Sequence, residues 1–278
     1  MFDVDHADVT AAVRRALEED IGGGDVTSEA CIAASARSGG KFYARQEIIV
    51  AGVELLAVIY AARGGVERLD LLVDSGESAA AGQPIASVRG RTITLLECER
   101  VALNFLQRLS GIATLARAYV DAVAGTNCRI LDTRKTTPGL RRLEKMAAAA
   151  GGVTNHRMGL WDAVLIKNNH ITAAGGVKAA LEKALPRNLP VEIEVRTREE
   201  IDEALESGAR HLLLDNMTPE RAREQIRHIG GRATVELSGR ITLENVRAYA
   251  ETGADFISCG AITHSARAVD LNFRMEDE

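Results

Sequence analysis

The sequence predicts an α/β protein in two parts, a small mixed sheet with helices followed by an incomplete β/α barrel. Three observations carry this prediction. Six short β-type runs, 128–131, 163–166, 191–195, 211–214, 234–237 and 255–258, alternate with helical segments. The later runs begin roughly 20 to 30 residues apart, the spacing of successive β/α units in a closed barrel or a doubly wound sheet. A polar residue or a glycine ends or follows nearly every run: Asp132, Lys167, Glu194, Asp215, Ser238 and Gly260. The strand ends of a barrel form one rim on which such scattered residues converge, so the barrel is favoured, and six runs instead of eight leave it incomplete.

In chain order, Val9, Val13, Ala16 and Leu17 have helical spacing over 8–19, and the helix stops at Gly22-Gly23-Gly24. Between 41 and 94 the apolar runs 47–53, 68–73 and 84–88 are separated by glycine turns such as Asp74-Ser75-Gly76. This pattern reads as a small mixed sheet with a helix near 55–62. Val101, Leu103, Leu106, Leu109, Leu115 and Val120 support two helices between 95 and 124, interrupted at Ser110-Gly111 and linking the two domains. The domains are accordingly expected at 1–110 and 111–265, with 266–278 packing back on the first.

Of the 278 residues, 46% are hydrophobic and 26% charged, near the globular average, and no apolar run is long enough to span a bilayer. The acidic start, Met1 to His6, lacks the order of a secretory signal, so a cytoplasmic protein without a membrane role is expected. A net charge of -5 argues against nucleic-acid binding as the main task while leaving room for a local basic pocket. Cys31, Cys98, Cys128 and Cys259 lie far apart without metal or redox spacing, and no disulfide framework is predicted. Walker and GxGxxG loops are absent.

The densest chemistry is the stretch 132–141, where Arg134 and Lys135 follow a predicted strand. Arginine suits bidentate binding of a planar carboxylate, and lysine offers a compact charge to phosphate oxygens. A second basic group, His156-Arg157, is followed by Lys167 at the end of an apolar run expected to be buried. In Val191-Glu192-Ile193-Glu194-Val195 the alternation puts both acids on one strand face, and Asp215 ends the next run. Inward carboxylates near a basic rim suit magnesium with its water shell, or ribose hydroxyls. Glycine turns at Ser238-Gly239 and Gly260, the latter followed by Thr263-His264-Ser265, precede expected helix starts where a phosphate can be held.

Taken in order, these motifs resemble the quinolinate phosphoribosyltransferases over nearly the whole chain. Further pieces of the resemblance are Glu19-Asp20 through Ser28, Glu99-Arg100 through Asn104, Leu109 through Thr114, Asn155, the run 165–170 and Leu214-Asp215-Asn216. The resemblance implies an N-terminal open α/β sandwich, an incomplete β/α barrel, and a homodimer with shared active sites or a higher assembly of such dimers. It implies Mg2+-dependent reaction of quinolinate with phosphoribosyl pyrophosphate. By position, Arg134, His156, Arg157 and Lys167 would hold quinolinate, with Arg100 from the other subunit. Lys135, Glu194, Asp215, Ser238, Gly239, Gly260 and His264 would hold the sugar phosphate, Glu194 and Asp215 its metal, and Lys135, Glu194 and Asp215 would carry the chemistry. The chain departs from the family pattern at Val153, Asn168 and Arg240. A transferase acting on nicotinate without decarboxylation needs fewer cations, and a catalytically silent sugar-phosphate-binding barrel should lack some of Lys135, Glu194 and Asp215.

Overall fold

The computed structural model describes residues 3–276, and its internal contacts divide the chain into two units. One unit comprises 1–117, 136–152 and 262–278; the other comprises 118–135 and 153–261. The division follows contacts, so 136–152, expected within the barrel domain, groups with the first unit.

In the first unit, helix α1 (Ala7–Ile21) starts where His6 Nδ1 accepts the Asp8 N–H and buries Val9, Ala12, Val13 and Leu17. Helix α2 (Val26–Cys31) is capped by the Asp25 carboxylate, which accepts the N–H groups of Thr27 and Ser28. Strands β1 (Arg37–Ala44), β3 (Arg68–Leu71) and β5 (Pro84–Arg91) form an antiparallel sheet with β12 (Leu271–Glu276), in the order β12-β1-β5-β3. Strands β2 (Ile48–Ile49) and β4 (Ser78–Ala79) pair separately, and α3 (Leu55–Ala61) contributes Leu55, Leu56, Ile59 and Tyr60 to the core. All of β1 lies before the first expected run, 47–53. A Cβ at Gly40 within it would lie 2.2 Å from the Phe273 ring, so glycine is there to let β12 approach.

Helix α4 (Thr92–Ala122) corrects the expectation of two helices interrupted at Ser110-Gly111, because it runs unbroken for 31 residues. The Ser110 hydroxyl, fully buried, accepts the Ala51 N–H at 3.0 Å. A Cβ at Gly111 would lie 2.1 Å from the Arg267 carbonyl oxygen. The pair serves close packing, and α4 tolerates the roughly 1 kcal/mol that an interior glycine costs relative to alanine. Helix α5 (Arg141–Ala150) completes this unit's long elements.

In the second unit all six expected strands form: β6 (Arg129–Leu131), β7 (Val164–Ile166), β8 (Val191–Val195), β9 (His211–Asp215), β10 (Thr234–Ser238) and β11 (Phe256–Ser258). They make one parallel sheet in the order β6-β11-β10-β9-β8-β7. Helices α6 (Asn168–Ala174), α7 (Val177–Ala184), α8 (Arg198–Glu206), α9 (Pro219–Ile229) and α10 (Val246–Ala250) alternate with the strands, and the short α11 (Ala261–His264) follows β11. Residues of all six strands line a single cavity, so the sheet curls, and its edges β6 and β7 are not paired with one another among the described residues. This is an incomplete β/α barrel. Among the described residues no helix is long and apolar enough to cross a membrane.

Candidate active site

Alternation along the strands sorts the barrel into two faces. On β8, Val191, Ile193 and Val195 are buried on one face, and Glu192 and Glu194 share the other. Register extends the inner face: Glu194 pairs with Leu213 and Leu213 with Glu236, while Asp215 pairs with Ser238 and Ser238 with Ser258. A cavity of about 430 Å³ occupies the end where the strands start, lined by Val164, Val191, His211, Thr234 and Phe256, with His156, Glu192 and Glu236. Glu194, Asp215 and Ser238 stand at the other end, on the rim where the strands finish. This hollow and the expected sugar-phosphate ligands therefore occupy different ends of the barrel.

On that rim Glu194 is 8% exposed and accepts a 2.7 Å hydrogen bond from Arg196 Nη2. That bond raises the Arg196 pKa, and the charge of Asp215 adds to the effect. Asp215 accepts from Asn216 Nδ2 at 2.6 Å. Gly239 has φ +100°, and a Cβ there would fall 2.3 Å from Asn216 Oδ1, so this turn requires glycine.

The basic residues come from two segments joined by Asp132. This aspartate, fully buried after β6, accepts the His156 N–H at 2.8 Å and Asn155 Nδ2 at 2.6 Å. Arg134 and Arg157 are both part-buried. Burial first, and the neighbouring Arg134 guanidinium second, push the Arg157 pKa down. Two part-buried guanidiniums that repel one another favour an anion beside them. Lys135 is exposed, its N–H donating to Thr133 Oγ1 at 3.1 Å. The expectation of a buried Lys167 is corrected: it lies one residue beyond β7, exposed at the start of α6, where a cation keeps its hydration. His170 caps that helix, its Nδ1 accepting the Lys167 N–H at 2.9 Å.

Of the other expected residues, Gly260 is part-buried in the second unit, whereas Arg100 and His264 are exposed and belong to the first. Arg100 makes no hydrogen bond or ion pair among the described residues, and nearby Glu97 is engaged by Arg63 at 2.9 Å. His264 Nδ1 lies 2.5 Å from the Ser265 hydroxyl.

Family models described as the quinolinate phosphoribosyl transferase N-terminal and C-terminal domains match residues 25–110 and 112–274. The chain belongs to the quinolinate phosphoribosyl transferase family. It is 40% identical to the nicotinate-nucleotide pyrophosphorylase (carboxylating) of Mycobacterium leprae, covering 93% of this chain and 94% of that one. It is 39% identical to quinolinate phosphoribosyltransferase (decarboxylating) 1b of Nicotiana tabacum, covering 98% and 83%. The solved nicotinate-nucleotide pyrophosphorylase of Francisella tularensis superposes with a TM-score of 0.91 at 36% identity, covering 97% and 96%.

Two of the departures from the family pattern acquire a physical reading. Arg240, where a glycine is common, adopts φ +53°, a conformation that costs a side-chain-bearing residue roughly 1–2 kcal/mol. Asn245 supports it by donating to the Arg240 carbonyl at 3.1 Å. Val153 is 4% exposed with ordinary negative φ, while neighbouring Gly152 takes φ +98°, so valine fits this family's glycine run at its last position.

Residues outside the sequence expectations complete the picture. Glu236, 5% exposed on β10, faces Glu192 and His156, and the three offer ligand atoms within 4.8 Å of one another. Glu192 and His156 lie far from Glu236 in the sequence, and the local signal is its place two residues before Ser238. In the first unit, Arg108 and Glu144 form a salt bridge at 2.8 Å, with Glu144 fully buried. No spacing rule links residues 36 apart.

Proposed function

We propose that this protein transfers the phosphoribosyl group of phosphoribosyl pyrophosphate to quinolinate with decarboxylation, giving nicotinate mononucleotide, pyrophosphate and CO2 for NAD biosynthesis. The observation that carries the reading is the pair of part-buried guanidiniums, Arg134 and Arg157, on a chain that matches both family domains. Quinolinate carries two adjacent carboxylates, and removing them from water requires several cations.

Arg134 and Arg157 hold the two carboxylates, with Lys167 at the exposed rim. The ring nitrogen attacks the anomeric carbon as its bond to pyrophosphate breaks, and the sugar passes through an oxocarbenium-like state. Lys135 meets the charge growing on the leaving oxygens. Attack leaves the ring nitrogen cationic, so the bond to the adjacent carboxylate breaks with its electron pair kept at the ring carbon. CO2 departs, and that carbon takes a proton from solvent.

Glu194 and Asp215 are hard oxygen donors at the strand-end rim, a set that fits Mg2+ held by one or two carboxylates together with substrate phosphates. Bound there, the ion would neutralise pyrophosphate charge. The same Glu194 carboxylate accepts a hydrogen bond from Arg196. Ser238, Gly239, Gly260 and His264 are assigned to the sugar phosphate. The working form is read as a homodimer in the cytoplasm, with Arg100 supplied across the two-fold axis; its exposure and its lack of a partner among the described residues support this.

The test is direct. Purified protein with Mg2+, phosphoribosyl pyrophosphate and quinolinate should release CO2 and pyrophosphate in equal amounts. Pyrophosphate without CO2, or nicotinate used as efficiently as quinolinate, overturns the reading.

A further inference from the structure

We propose that Glu236 is a positioning residue for the aromatic acid: through Glu192 it fixes which ring nitrogen of His156 carries the proton, and through His156 it sets the Arg157 backbone. The inference rests on the reading that quinolinate lies against His156 and Arg157.

The hydrogen bonds fix the direction of the chain. His156 Nδ1 accepts the Arg157 N–H at 2.7 Å, so that nitrogen presents its lone pair. In the neutral ring the proton is then on Nε2, which lies 3.2 Å from Glu192 Oε2 and 3.5 Å from Glu236 Oε2. Two carboxyl groups this close, deep in the barrel, are best accommodated when one holds a proton. Glu236 is the more buried and hydrogen-bonds Glu192, while the Ser258 hydroxyl also reaches it. Burial, followed by the charge of Glu192, pushes the Glu236 carboxyl up to about 8. Glu236 O–H therefore donates to Glu192, Glu192 accepts His156 Nε2–H, and His156 Nδ1 accepts the Arg157 N–H. Every donor in this chain has an acceptor.

The same three side chains could in principle hold a metal ion. An ion would need the Nε2 lone pair, moving the ring proton to Nδ1, where it would point at the Arg157 N–H. The hydrogen-bonded chain avoids that conflict. It also gives the His156 ring a supporting role, while Asp132 fixes the His156 N–H and the Ala163 carbonyl accepts Arg157 Nη1 at 2.9 Å.

Two variants and one spectrum test the proposal. Glu236→Gln keeps a carbonyl and supplies an N–H to Glu192 in place of the acid proton, whereas Glu236→Leu removes both. The leucine variant should raise the quinolinate KM roughly tenfold or more, the scale on which small misplacements of a binding group act. Its kcat and its phosphoribosyl pyrophosphate KM should stay near native, and the glutamine variant should restore the quinolinate KM. A folded leucine variant with native quinolinate KM, or a glutamine variant as impaired as leucine, overturns the proposal. In native protein, nitrogen-15 spectra of the imidazole should show His156 protonated at Nε2. Protonation at Nδ1, or stoichiometric zinc binding in native protein that Glu236→Gln abolishes, also overturns it, whether or not the leucine variant folds. The imidazole spectrum needs no substrate, so it stands even if native protein fails to turn over quinolinate, a failure that would count against the functional reading.

Discussion

One carboxylate oxygen of Glu144, fully buried, accepts both Nε and Nη2 of Arg108, at 3.1 and 2.8 Å. Glu144 also accepts the Thr137 N–H at 3.0 Å and its hydroxyl at 2.7 Å. Arg108 in turn donates to the carbonyls of Thr263 and Ala266. The pair thus ties the segment that begins just after Lys135 to the turn that carries His264.

Removing Glu144 takes the counter-charge from part-buried Arg108, which keeps two carbonyl acceptors, and leaves the Thr137 N–H and hydroxyl without theirs. Glu144→Leu should therefore destabilise the protein by about 3–5 kcal/mol, the range for breaking a buried ion pair. Urea unfolding at neutral pH measures this. A midpoint equal to the native one would mean that Arg108 finds other acceptors at no cost.

Arg134→Ala should weaken quinolinate binding by roughly 2–5 kcal/mol, the range for truncating one partner of a buried charge pair. Loss of the neighbouring guanidinium should at the same time return the Arg157 pKa toward its ordinary value. Titration calorimetry with quinolinate decides it, and unchanged affinity contradicts the assignment of Arg134.

Glu194→Gln and Asp215→Asn should mainly weaken phosphoribosyl pyrophosphate use and alter its magnesium dependence, because carboxylates facing quinolinate would repel it. Separate titrations of the two substrates distinguish the roles. Lost quinolinate binding with normal sugar-phosphate binding would reverse them.

The barrel was legible because buried parallel strands read as short apolar runs, and β8 occupies the predicted residues, Val191–Val195. Gly111 misled because it serves packing: it makes room for the Arg267 carbonyl within a helix. Cations on strand-end loops were legible as candidates, since their charge and position show locally. The Arg108–Glu144 pair and the Glu236–Glu192–His156 chain were not, because each exists only once distant segments pack.

The Glu236 carboxyl, raised from 4.5 to about 8, gives stability a pH dependence of predictable sign. Between those values the folded protein keeps a proton that the unfolded chain has released. The contribution is complete below the unfolded value and is lost as pH rises through the folded one, at a slope approaching roughly 1.4 kcal/mol per pH unit. Glu236→Gln should flatten the fall in stability between about pH 5 and 8. Denaturant midpoints across that window, compared for native and variant protein, check it; parallel curves would place the proton elsewhere.

Arg100 is exposed on α4 with Glu97 already engaged by Arg63, so a local ion pair with Glu97 does not account for it. If Arg100 completes the site of a second subunit, Arg100→Ala and Lys135→Ala homodimers should each be nearly inactive. A mixed dimer would then contain one site with both defects and one with neither. Random co-assembly of equal amounts makes half the dimers mixed, each with one intact site, so the mixture should recover about a quarter of native activity. If Arg100 instead served the barrel of its own chain, every site in the mixed dimer would carry one defect and nothing would be recovered. Co-expression with two different affinity tags, confirmation of mixed dimers by mass, and assay of the purified mixture separate the cases. Activity no greater than that of the two separate variants would show that Arg100 does not act across the axis.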